Sequence, residues 1–106
     1  MNFRRIINKP VSEAQFIDLS AVTKKKVLDE RELLRAIRMG LAAEEEAVHL
    51  YELIADSTKN EKVKRVMQSV ADEEKVHVGE FQKLLKDLDP NEEKLLKDGE
   101  EEAEEE

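Results

Sequence analysis

Two stripes of mostly apolar residues, each with a seven-residue repeat, constrain the fold of this chain more than any other feature. The positions in each stripe follow one another at alternating steps of three and four residues. The first stripe consists of Leu34, Ile37, Leu41, Glu44, Val48, Tyr51 and Ala55. The second stripe consists of Val63, Met67, Val70, Glu74, His77, Phe81, Leu84 and Leu88. Because bundle helices present this spacing to their neighbours, the sequence predicts two long helices that pack as an antiparallel hairpin.

Short polar residues that cap helices predict where the helices begin. Asp29 followed by Glu32, and Thr58 followed by Glu61, each match the capping box at a helix start. The predicted helices cover residues 30–55, 60–88 and 90–97. No strand signal is found, so the predicted fold class is all-α: an antiparallel two-helix hairpin plus a short C-terminal helix, completed as a four-helix bundle by homodimerisation.

Charge and periodicity divide the chain into three predicted regions. Residues 1–28 have little periodicity and are predicted to be an N-terminal arm with a short helix over residues 13–19. Residues 29–98 form the helical hairpin domain. Residues 99–106 contain six glutamates and are predicted to be a disordered acidic tail, because like charges repel one another.

The composition excludes several classes of function. The 106 residues include no cysteine, which excludes disulfides, cysteine-ligated metal sites and thiol nucleophiles. No apolar run approaches the ~20 residues of a membrane span, and the start does not resemble a secretory signal, so we expect a cytoplasmic protein without membrane contact. The net charge is −8 and the only basic run, Lys24 to Lys26, has no aromatic neighbours, which argues against nucleic-acid binding.

Three polar residues interrupt the two stripes at the same level of the predicted hairpin. Folding the chain about Lys59 places Glu44 opposite Glu74, with His77 one turn further along the second helix. A carboxylate in a bundle core is costly unless it is paired, protonated or bound to a metal, and neither stripe contains a Lys or Arg. A hard or borderline cation would supply the missing positive charge, so we predict that Glu44, Glu74 and His77 are metal ligands.

The predicted ligand set is incomplete in one chain. Di-iron carboxylate bundles use one Glu from each of two helices and a Glu-x-x-His pair from each of two others. This chain has one helix of each kind, so two copies supply four Glu and two His. A hairpin also cannot cover its own apolar surface, and a two-fold dimer would cover it. The sequence therefore predicts a homodimer around a two-metal site.

Four residues near Glu44 have two interpretations each. Tyr51 lies two turns after Glu44, where its ring packs in the core or its hydroxyl reaches a metal ligand. Glu45, Glu46 and His49 lie off the stripe, where they are surface residues or form an iron-uptake or secondary metal position.

The segments from Ala43 to Glu52 and from Ala71 to Phe81 resemble the rubrerythrin/ferritin-like superfamily and, within it, the encapsulated ferritin-like proteins. The similarity extends over about residues 33–90. It implies a half-ferritin whose chains dimerise, often into a ring of dimers, to form a four-helix ferroxidase. By this resemblance the ligands map to Glu44, Glu74 and His77, with Tyr51 close by as a further residue that takes part in catalysis.

The resemblance also implies the details of the function. Two irons are expected per dimer, with manganese as the alternative metal. The expected activity oxidises Fe(II) to Fe(III) with O₂ or peroxide, for iron storage or detoxification inside an encapsulin shell. Glu46 matches an acidic position that guides ions in some members, whereas Ala43 and Leu50 depart from the acidic and aromatic residues that some members carry.

Two alternatives remain at this point. One is a metal-free helical dimerisation module, in which the three polar residues fix the register of the helices. The other is a di-iron or di-manganese protein that reduces peroxide without mineralising iron.

Overall fold

The computed structural model describes residues 27–105, which form three α-helices and, within that range, no strand. We number them α1 (Glu30–Ser57), α2 (Glu61–Leu88) and α3 (Glu92–Glu105). Helices α1 and α2 pack as the predicted antiparallel hairpin, so the all-α fold class is confirmed. Residues 1–26 of the predicted arm, including its short helix over residues 13–19, lie outside the described residues.

The start of α1 agrees with the prediction, and the start of α2 does not. The Asp29 carboxylate accepts a hydrogen bond from the Glu32 N–H at 2.8 Å, and the Asp29 N–H donates to the Glu32 carboxylate at 3.1 Å. At α2, however, the cap is Asn60, whose side chain accepts from two backbone N–H groups at 3.0 and 3.1 Å. The predicted box beginning at Thr58 is therefore wrong. Thr58 instead follows the end of α1, and its hydroxyl accepts from the Asn60 N–H.

The buried apolar residues of α2 lie beside the predicted stripe rather than on it. The buried apolar residues in the described range are Val48, Ala55, Ala71 and Leu85. The two on α1 belong to the predicted stripe, but those on α2 lie one position after Val70 and Leu84. The reason is that apolar residues of α2 cover a broad arc, so that one edge of the arc faces α1 and the other remains uncovered.

The uncovered edge of this arc forms an exposed apolar surface on α2. We call it the outer face of α2; its members are Val63, Val66, Leu84 and Leu88. Each has more than a third of its surface exposed, and nothing in the described chain covers them. Several exposed large apolar residues along one side of a helix indicate an interaction site, which agrees with the predicted homodimer.

Helix α3 continues further than the sequence predicts. The prediction ends it at Lys97, whereas the structure continues the helix to Glu105. The prediction of a disordered tail is therefore wrong for residues 99–105. The helix continues because glutamate is a good helix former and Gly99 costs a helix only about 1 kcal/mol relative to alanine. Lys94 also pairs with Asp98 at 3.0 Å across one turn, which stabilises the helix before Gly99.

A forked ion pair connects the start of α3 to α1. The Arg38 guanidinium donates to the Glu92 carboxylate through Nη2 at 2.6 Å and Nη1 at 3.4 Å, and it lies 3.6 Å from Asp89. The Glu92 side chain is only 12% exposed. The hydrogen bond to Glu92 raises the pKa of Arg38, against the opposing effect of burial. Paired hydrogen bonds of this geometry are stronger than a single contact, so Arg38 helps to position α3.

None of the helices in residues 27–105 has an apolar segment long enough to cross a membrane.

Replacing Arg38 with methionine should loosen α3 while leaving the α1–α2 hairpin folded. We expect a loss of about 0.5–1 kcal/mol in the free energy of unfolding, because the Arg38 side chain is half-exposed. Amide hydrogen exchange should become faster in α3 and remain unchanged at the centre of α2. The matched control is Lys83→Met, which removes an exposed pair with Asp87 inside α2. Equal protection of α3 in both variants would contradict the role of Arg38.

Candidate metal centre

The structure brings the three predicted ligands together near the middle of the hairpin. Glu44 projects from α1, while Glu74 and His77 project from α2, one turn apart. His77 Nδ1 lies 3.4 Å from Glu74 Oε2 and 3.6 Å from Glu44 Oε2. One potential ligand atom from each residue lies within 4.8 Å of the other two. A single ion could therefore contact all three side chains after small rotamer adjustments. We call these three residues the ligand cluster.

No Lys or Arg in the described part of the chain neutralises the negative charge of the ligand cluster. Among residues 27–105, His77 is the only nitrogen base within ion-pair distance of Glu44 and Glu74. Lys75, although adjacent to Glu74 in sequence, binds Glu52 at 3.2 Å instead. Two neighbouring carboxylates without a permanent positive charge are the electrostatic environment that favours a bound cation.

One oxygen of Glu44 lacks a hydrogen bond. Glu44 Oε2 is buried and has no hydrogen-bond partner in the described part of the chain. Its 3.6 Å separation from His77 Nδ1 is too long for a hydrogen bond. Burying a polar oxygen without a partner is costly, and a metal ion would remove that cost. Two carboxylates and an imidazole suit iron, manganese or zinc, so the residues present fit the metal that the sequence predicts.

The ligand cluster opens toward the outer face of α2. The His77 side chain is 48% exposed, compared with 23% for Glu44 and 19% for Glu74. His77 lies 7 and 11 residues before Leu84 and Leu88, spacings that place all three on one side of the helix. A partner that covers the outer face would therefore also cover the open side of the ligand cluster.

The other predicted site residues lie outside the ligand cluster. Tyr51 is half-buried on α1, and its hydroxyl makes no hydrogen bond within residues 27–105. Glu45, Glu46 and His49 are exposed, and none belongs to a group of potential metal ligands in the described chain. A catalytic role for Tyr51, and an uptake or secondary metal position at the other three, remain predictions.

One contact next to the ligand cluster was not predicted from the sequence. The Phe81 ring packs directly against the α1 backbone at Gly40. The signal available in the sequence was the glycine itself, because an interior helix position rarely favours glycine unless something approaches it closely.

Comparison with known proteins agrees with this arrangement. Residues 33–106 match the sequence model of the Rubrerythrin family. The chain is 39% identical, over 84% of its length, to a ferritin-like-encapsulin shell fusion protein of Pyrococcus furiosus. It is 40% identical, over 66% of its length, to the encapsulin nanocompartment cargo protein EncC of Myxococcus xanthus. The chain spans 26% of the first relative and 53% of the second.

A solved structure has the same fold. The encapsulated ferritin domain from Pyrococcus furiosus superimposes with a TM-score of 0.76 at 39% sequence identity. The match covers 84% of this chain and 91% of that domain. With the family match over α1, α2 and α3, these similarities show that the chain belongs to the rubrerythrin (ferritin-like) family.

Proposed function

We propose that this chain is a ferroxidase, which binds Fe(II) as its substrate between two subunits and oxidises it to Fe(III) with O₂ or peroxide. The observation that carries the proposal is the ligand cluster, in which a buried Glu44 oxygen has no hydrogen-bond partner in the described chain. Membership of the rubrerythrin family, and its similarity to an encapsulated ferritin domain, support the same function.

Each ligand would contribute a separate property. Glu44 and Glu74 supply hard anionic oxygens, which stabilise Fe(III) more than Fe(II) and so favour oxidation. Together the two carboxylates would offer four oxygens to the bound iron. His77 supplies a neutral nitrogen, which adds a ligand without adding further negative charge.

The number of electrons transferred in the reaction explains why two chains, and not one, would form the site. Each Fe(II) loses one electron, whereas reduction of O₂ to hydrogen peroxide, or of peroxide to water, takes two. Two copies of the ligand cluster would provide four carboxylates and two imidazoles for a pair of irons. Because His77 lies on the same side of α2 as Leu84 and Leu88, pairing the outer faces of two chains would bring the two clusters together.

We also propose that the oxidised iron is stored or detoxified inside an encapsulin shell. A pair of hairpins encloses no space for a mineral, so stored iron needs a container made by another protein. One relative is named as a fusion with an encapsulin shell and another as an encapsulin cargo protein. A ring of dimers is the proposed assembly, and manganese is the proposed alternative metal.

Anaerobic Fe(II) titration, combined with native mass spectrometry, tests the site. We expect saturation near two irons per dimer, because each chain supplies half of the ligands. Glu44→Ala and His77→Ala should abolish saturable binding and aerobic Fe(II) oxidation while the dimer persists. Glu80→Ala is the matched control, since Glu80 is exposed on α2 outside the ligand cluster, and it should bind like the wild type. An intact wild-type dimer without saturable iron would identify a metal-free dimerisation module instead.

Removing the Glu44 carboxylate should stabilise the protein when no metal is present. In EDTA, Glu44→Leu should raise the free energy of unfolding by about 1–3 kcal/mol, because a carboxylate with a buried oxygen that lacks a hydrogen-bond partner is replaced by an apolar side chain. Denaturant unfolding at one protein concentration measures the change, with Glu44→Gln as the isosteric control.

Adding Mn(II), which does not oxidise during the scan, should then raise the melting temperature of the wild type but not that of Glu44→Leu. Destabilisation by Glu44→Leu in EDTA would contradict the proposal, since it would mean that Glu44 has a structural partner in the metal-free protein.

A further inference from the structure

We infer that Gly40 is a positioning residue for the metal centre: by admitting the Phe81 ring against the α1 backbone, it sets the separation of α1 and α2 at which Glu44 and His77 reach the same ion. This inference rests on the proposed function, because it assumes that the ligand cluster binds a metal.

The contact between Gly40 and Phe81 leaves no room for a larger residue. A Cβ built at Gly40 would lie 2.8 Å from Phe81 Cε1 and 3.1 Å from Phe81 Cζ. The first distance is shorter than carbon atoms tolerate without a shift of one group. The other described glycines differ, because a Cβ at Gly79 or Gly99 would meet nothing within 4 Å. Among the described glycines, only Gly40 therefore has a close approach that requires the absence of a side chain.

The contact lies in the layer next to the ligand cluster. Gly40 is one turn before Glu44 on α1, and Phe81 is one turn after His77 on α2. Because the helices are antiparallel, both steps lead in the same direction, about 6 Å along the hairpin. The helix separation at the Gly40–Phe81 layer therefore also governs the separation of Glu44 from His77.

A methyl group at position 40 would act on the ligands through Phe81. The ring must move away from α1, and a shift of α2 that relieves this contact moves His77 as well, since both residues belong to the same helix. The 3.6 Å between His77 Nδ1 and Glu44 Oε2 would lengthen. Residues that orient metal ligands typically change metal affinity by about 10- to 100-fold when they are altered.

The test compares metal affinity with metal-free stability in the full chain. For Gly40→Ala we expect Fe(II) binding, titrated without oxygen, to weaken about 10-fold or more. The melting temperature in EDTA should change little, because alanine favours the helix while the clash opposes it. The visible absorption of bound Co(II) should also change, since it reports the coordination geometry. Gly99→Ala makes the same substitution in α3 and should change neither the affinity nor the spectrum.

A second variant tests whether Phe81 carries the effect. Phe81→Leu shortens the side chain and should weaken Fe(II) binding by leaving a gap between the helices. The double variant Gly40→Ala with Phe81→Leu refills that gap and should bind within about threefold of the wild type, so that the two substitutions are strongly coupled. If Gly40→Ala alone does not fold, the double variant must still bind Fe(II) more tightly than Phe81→Leu.

The outcomes separate this inference from the proposed function. Wild-type protein that binds no Fe(II) or Co(II) would overturn both. If Gly40→Ala had the Fe(II) affinity and the Co(II) spectrum of the wild type, only the role of Gly40 would be overturned. The same conclusion would follow if the double variant bound Fe(II) no more tightly than Phe81→Leu.

Discussion

The antiparallel register of α1 against α2 is the constraint on which the rest of this structure depends. The connection between the two helices is only three residues long, from Thr58 to Asn60, so the helices have little freedom to slide. That register brings Glu44 level with Glu74 and His77, and it also places Gly40 against Phe81. A one-turn shift of either helix would move Glu44 about 5.4 Å away from Glu74 and His77 and put a side chain in place of the glycine.

The same hairpin has two unfavourable features that no residue between 27 and 105 compensates. The buried Glu44 oxygen has no hydrogen-bond partner within residues 27–105, and the outer face of α2 exposes valine and leucine side chains. A metal would supply a partner for the Glu44 oxygen, and a second chain would cover the outer face of α2. His77 lies on the same side of α2 as that apolar surface. In the proposed function, binding of the metal and binding of the second chain are therefore coupled. The isolated hairpin is therefore least favourable energetically at the place where the proposed chemistry occurs.

The differences between prediction and structure have local physical causes. Apolar residues cover a broad arc of α2, so the seven-residue pattern alone could not distinguish the edge containing Ala71 and Leu85 from the one containing Val70 and Leu84. At the end of the chain, charge repulsion competes with the helix propensity of glutamate, and the helix prevails through Glu105. Asn60 took the cap of α2 because its side chain reaches two orphan N–H groups.

By itself the sequence determined the all-α class, the hairpin, the capping box of α1 and the three residues of the ligand cluster. These follow from spacing along one helix and from the short connection, both of which are local. Only the tertiary structure decided which edge of α2 faces α1, how Arg38 holds α3, that the Glu44 oxygen lacks a hydrogen-bond partner, and that Gly40 receives the Phe81 ring. Those features depend on the rotation of each helix about its own axis and on the distance between helices, which residue spacing does not encode.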